Sequence, residues 1–176
     1  MNEVLYEESA EPKNYKTQKT IYVIYTVLIW VMAFLSLILL FFLPLTTVFF
    51  IFTLVSAIVF AFVRTKVFYC VDCIFVSGST RIIKVVNFKR RKKMLIYEAK
   101  EVEQVGKIGS ETFNKWYALP NIKKLYATPN KYLDEGFYVV VNQNGVKYLV
   151  MLECKETYLQ HLVAFTGKTV IEKDYK

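Results

Sequence analysis

A chain of 176 residues can form one or two small domains, but 55% hydrophobic residues and a mean hydropathy of +0.30 are too apolar for an ordinary soluble domain of that size. Its net charge of +8, from 23 Lys and Arg against 15 Asp and Glu, directs attention to anionic partners. One histidine and three cysteines leave little material for His-based acid–base catalysis or for a metal centre.

Residues 1–20 are mostly polar, with Glu3, Glu7, Glu8 and Glu11 set against Lys13, Lys16 and Lys19, and they read as an N-terminal tail. Residues 21–63 then contain no Asp, Glu, Lys, Arg or His. A bilayer core about 30 Å thick takes about 20 helical residues, so this run suits two crossings and overshoots one. Pro44, in FFLPLTT, marks the break and predicts spans over 21–43 and 46–63 joined by a very short turn. The run reads as a resident anchor rather than a cleaved signal peptide. It is too long for an h-region, and no small-residue cleavage site follows it.

Lys13, Lys16 and Lys19 precede the first span and Arg64 and Lys66 follow the second, with no charge between. The positive-inside rule therefore predicts a multi-pass protein of the cell membrane with both termini in the cytoplasm. Tyr15, Tyr22 and Tyr25 suit an interfacial aromatic belt. Thr26, Ser36, Thr46, Thr47, Thr53 and Ser56 are polar enough to help the helices pack, and no ionisable side chain marks an ion or substrate path.

Residues 1–20 carry three Lys and four Glu, so residues 64–176 hold the remaining 20 Lys and Arg against 11 acids. KVFYCVDCIFV, stopping at SGS, reads as a strand and turn, and TRIIKVVNF reads as a second strand. KRR is a polar turn, and KKMLIYEAKEVEQV is a third strand with an irregular continuation punctuated by Gly106 and Gly109. Residues 110–133, with Pro120 and Pro129, have weak periodicity and read as loop with at most one short strand or helical turn. GFYVVVNQNGVKYLVML is a hairpin whose Asn144-Gly145 pair suits a turn needing positive φ. In ECKETYLQHLVAFTGK, Tyr158, Leu159, Leu162, Val163 and Phe165 recur at helical spacing opposite Lys155, Glu156 and Gln160, with Gly167 as C-cap. A short charged tail follows.

Two spans followed at once by a basic module of hairpins, closed by one amphipathic helix, resemble the bacterial PH-like membrane proteins. YCVDCIFVSGSTRIIKV is similar to that family's opening hairpin, and KKMLIYEAKEVEQVGKI to its later strand with an apolar pair before a glycine. YVVVNQNGVKYLVML with YLQHLVAF is similar to its closing hairpin and helix. The layout is also similar to small uncharacterised membrane proteins of clostridia and their relatives. The resemblance implies a membrane α-helical hairpin plus an α+β module, a PH-like β-sandwich or barrel with a C-terminal amphipathic helix. The chain then divides into a cytoplasmic tail (1–20), a two-helix transmembrane hairpin (21–63) and a cytoplasmic PH-like domain (64–176). The family brings no catalytic residues and no cofactor, and the long 110–133 linker departs from its pattern and leaves the strand count open.

The sharpest feature is the run Lys89, Arg90, Arg91, Lys92, Lys93. Five adjacent cations repel one another and must be exposed, at or near a turn. The cluster reads either as a solvated hairpin tip or as a contact for anionic lipid headgroups, which attract a tethered basic segment by about 1 kcal/mol per residue. Nucleic-acid binding ranks behind both, because no reader motif accompanies the charge. The G-x-x-G of VGKIGSETF resembles a KH loop, which belongs between two helices; here a plain turn is the better reading. Cys70 and Cys73 form C-x-x-C, but residues three apart in a strand point to opposite faces, so a zinc set with Cys154 and His161 is not expected. Nor is a disulfide, in a reducing compartment. Asp72, Glu98, Glu101, Glu103, Asp134 and Glu135 show no acid–base pairing, His161 lies on a helix whose opposite face packs, and no enzyme chemistry is expected. The sequence thus predicts a binding module for anionic lipid headgroups or a protein partner. The alternatives are a non-catalytic accessory subunit of a membrane complex and a membrane-tethered nucleic-acid binder.

Overall fold

A computed structural model describes residues 5–42, 46–87, 90–130, 136–166 and 170–172. The predicted break at Pro44, and Lys89, Asp134, Glu135 and Gly167, lie outside the described residues. The chain forms two compact units, one of residues Pro12–Tyr69 with Val86–Phe88, the other of Met1–Glu11, Cys70–Val85 and Lys89–Lys176.

The first unit is a pair of helices, α1 (Tyr15–Leu40) and α2 (Thr47–Val67), both long and apolar enough to cross a membrane. α1 starts ahead of the apolar run, so Lys16 and Lys19 ride on its first turns. Small side chains let the helices approach: Ser36, Thr53 and Ala57 are buried. The two hydroxyls donate within their own helices, to Ala33 O at 2.8 Å and Phe49 O at 3.0 Å, so their burial orphans no donor. Thr46 Oγ1 donates to Leu39 O at 2.9 Å and ties the ends of the helices together. At the other end Arg64 reaches from α2 to α1. Its guanidinium carbon lies 5.4 Å from the Tyr22 ring centroid and its Nη1 donates to Thr26 Oγ1 at 3.4 Å. Trp30 and Phe52 are 73% and 68% exposed, so the pair leaves large apolar side chains uncovered.

Among its described residues the second unit holds two four-stranded sheets. The first, in the order β1-β2-β3-β4, comprises β1 (Leu5–Ala10), β2 (Tyr69–Val76), β3 (Ser79–Val86) and β4 (Arg90–Glu98). A 3-10 turn at Ala99–Glu101 leads into the second, where β5 (Val102–Lys107), β6 (Lys123–Ala127), β7 (Phe137–Gln143) and β8 (Val146–Leu152) stand in the order β5-β7-β8-β6. The helices are α3 (Glu111–Ala118) and α4 (Glu156–Thr166). Both predicted hairpin turns form in the left-handed region, Ser77-Gly78 at φ 42 and 93 and Asn144-Gly145 at φ 52 and 79. KKMLIYEAKEVEQV, read as one irregular strand, is instead two strands in different sheets, with the 3-10 turn as the corner.

Residues 5–10, read as tail, form a strand antiparallel to β2, from Leu5↔Val76 to Ala10↔Val71. Alternation explains it: Tyr6, Glu8 and Ala10 are half-buried and the residues between them exposed. Tyr6 lies 6.2 Å from the Tyr158 ring and 5.6 Å from His161. Residues 110–133, read as loop with at most one short strand or helical turn, contain both α3 and β6. α3 buries only Phe113, and β6, parallel to β8 at the sheet edge, buries only Ala127, so neither leaves a periodic trace.

Two cores result. Phe113 of α3 packs on one face of the second sheet, 5.5 Å from Tyr138, with Val140, Leu149 and Met151. Val139, Val141, Val150 and Leu152 on its other face are also buried. α4 lays Tyr158 and Phe165 edge-on against Phe75 of β2.

Candidate functional site

Of the basic cluster, Arg90 to Lys93 lie in a strand rather than on the hairpin tip. The chain turns at Asn87, whose φ of 53 is a conformation asparagine tolerates, and the strand has resumed by Arg90. Arg90, Arg91, Lys92 and Lys93 therefore open β4, the edge strand of the first sheet, and all four are exposed, as the repulsion among them requires. Lys89 lies outside the described residues. The continuation turns inward at Leu95 and Tyr97. Among the described residues Arg91 alone of the four approaches a carboxylate, Asp72, at 4.0 Å with the Arg91 side chain 66% exposed. Such a pair leaves most of the charge unspent. Burial, and then the neighbouring Lys92, push the Lys84 ammonium below its usual range.

The other candidate residues among those described take part in packing, capping and pairing contacts. Cys70 and Cys73 are buried on β2, and burial pushes their thiols up to about 11 and about 12, so they stay protonated. Burial likewise raises Cys154 well above the thiol range. Among the described residues no three of His, Cys, Asp and Glu gather as a metal site. His161 faces the packed side, against Tyr6 and near-parallel to Phe75 at 6.5 Å. Glu98 and Glu101 close a capping box around the 3-10 turn, and Glu103 pairs with Lys147 at 2.6 Å. The G-x-x-G joins a strand to a helix, β5 to α3, with Gly109 in the turn at φ 92 and Ser110 Oγ capping α3 by accepting from Phe113 N at 3.0 Å. In the core, Tyr158 OH meets Tyr97 OH at 2.8 Å and Thr80 Oγ1 at 3.0 Å, so three buried hydroxyls satisfy one another across β3, β4 and α4.

One residue of the short charged tail escapes sequence reasoning. Glu172 is 3% exposed, and its carboxylate accepts from Lys107 N at 2.7 Å, Ser110 Oγ at 2.7 Å and Tyr138 OH at 2.9 Å. Burial first, and then this carboxylate, raise the Tyr138 phenol above its usual range. Backbone bonds hold the segment on the free edge of β5: Val105 N donates to Val170 O and Glu172 N to Val105 O, both at 2.9 Å. Beside it runs an apolar groove of about 360 Å³ lined by Val105, Leu159, Val163, Ala164 and Ile171. The available signal was period two in VIE, which sends Val170 and Glu172 to one side.

Compared with known proteins, residues 2–172 match the family described as "Bacterial PH-like domain (DUF6106)". No curated protein and no solved structure matches the chain.

Proposed function

The chain belongs to the bacterial PH-like domain family, and from that premise we propose that it is an integral membrane protein whose basic module contacts anionic lipid headgroups through the start of β4. The carrying observation is the exposure of Arg90, Arg91, Lys92 and Lys93 on an edge strand, with a single distant carboxylate beside them. At about 1 kcal/mol per basic residue near an anionic surface, four such side chains orient a tethered module even though each is weak alone. The role is binding, without catalysis.

Pairing of β1 with β2 supports the topology. These strands flank α1 and α2 in the chain, so a hairpin that crosses the bilayer twice returns its second flank to the side of the first. Lys13, Lys16, Lys19, Arg64 and Lys66 support a cytoplasmic position for that side under the positive-inside rule.

The test uses the whole chain, since a fragment starting after α2 would lack β1. Wild type and a quadruple Arg90→Gln, Arg91→Gln, Lys92→Gln, Lys93→Gln variant are reconstituted in bilayers of mixed charge, and the lipids retained after detergent extraction are quantified by mass spectrometry. Wild type retains an excess of anionic lipid that falls with salt and is lost in the variant. Equal retention by the two proteins would sink the reading, and a membrane protein partner that co-purifies with both would take its place.

A further inference from the structure

Glu172 lies in a seat built for a carboxylate. Three donors converge on it from β5, the α3 N-cap and β7, and the two 2.7 Å bonds, from Lys107 N and Ser110 Oγ, fall in the range of charge-assisted bonds. The floor of the seat is Gly106, where a Cβ would land on the Glu172 carboxyl group. Val170, on the same side two residues earlier, is 4% exposed, while Ile171 between them is 40% exposed and borders the apolar groove. The backbone bonds on either side of Val105 add the segment to β5 through one parallel bridge, Val105 to Ile171. Edge pairing supplies affinity, and alternate side-chain seats supply selectivity, which are the components of strand-addition recognition.

We propose that the free edge of β5 with Gly106, Lys107, Ser110 and Tyr138 is a binding site for an extended peptide carrying a carboxylate two residues after a β-branched side chain, and that the chain's own Val170–Glu172 occupies it in cis. A segment of that pattern supplied in trans enters only when Val170–Glu172 is out, so that segment gates the site. This inference is independent of the lipid reading, because it uses the second sheet and no residue of β4.

A labelled peptide with the sequence KTVIEKDYK, residues 168–176, is titrated into the full chain in detergent micelles. In the wild type the tethered segment competes at an effective concentration in the millimolar range, so the peptide binds at least about tenfold more weakly than to a Glu172→Arg chain, whose own segment no longer fits. A peptide with Arg in place of its Glu binds neither protein. Equal binding to wild type and variant overturns the proposal, as does an absence of binding to a variant that still unfolds cooperatively. Should Glu172→Arg fail to fold, residues 167–169 are replaced by a protease recognition sequence and the chain is cut after folding. The cut segment then exchanges for labelled peptide; a cut chain that takes up no peptide overturns the proposal equally.

Discussion

Gly106, read in the sequence only as a turn glycine, and Glu172, read as part of a charged tail, meet only in the folded unit. Adding a methyl at Gly106 puts an atom where the Glu172 carboxyl lies, so Gly106→Ala costs about 1–3 kcal/mol through overpacking. Glu172→Ala costs about as much by orphaning Lys107 N, Ser110 Oγ and Tyr138 OH. Because both act through one carboxyl group, the double variant loses less than the sum of the two, measured by urea unfolding of the full chain in detergent. Cys73 makes the second residue-scale case. Burial raises its folded pKa from 9.0 to about 12, so the folded state keeps a proton that the unfolded chain gives up. That contribution is complete below about pH 9 and lost as pH climbs toward 12. The urea midpoint is expected to fall between pH 9 and 11, and to fall less in Cys73→Ala. At pH 8 a thiol reagent should reach Cys73 only after unfolding.

At the scale of elements, β1 carries the clearest consequence. Its pairing covers the edge of β2, where Val71, Cys73 and Phe75 are buried, and its Tyr6 and Glu8 bond to the start of α4, at Thr157 Oγ1 and Lys155 N. Deleting residues 2–10 should therefore speed proteolysis of the sandwich and lower its unfolding midpoint; a digestion pattern like that of the intact chain would return these residues to the status of a tail. β4 shows the converse. A charged edge strand resists pairing with other chains, so the exposed Arg90–Lys93 run protects the sheet edge whatever else it touches. Elements with many buried residues were legible: the β7–β8 hairpin from its apolar runs and Asn-Gly turn, α4 from its stripe. α3 and β6 were not, because one buried residue per element leaves the pattern below detection.

For the whole molecule the decisive relation is that the first strand and the second belong to one sheet although α1 and α2 lie between them in sequence. In a cysteine-free background, a cysteine at Thr46 should react with an impermeant maleimide in intact cells. One at Lys100, whose side chain is 78% exposed, should react only after lysis. Labelling of both from outside would reverse the orientation, and labelling of neither would remove the crossing.

Local pattern was enough to predict the apolar hairpin, the strand-rich module, its two tight turns, the terminal helix and the exposure of the basic run, because hydrophobic period, turn chemistry and like-charge repulsion act between near neighbours. Long-range pairing decided the rest. β1 became a strand because β2 offered it an edge, Arg90 and Arg91 moved from turn to strand because Asn87 took the turn, and Glu172 became a buried ligand because Lys107, Ser110 and Tyr138 converge on it. Such outcomes depend on which distant donors and faces the fold leaves open, and a residue's own neighbours in the chain carry no record of them.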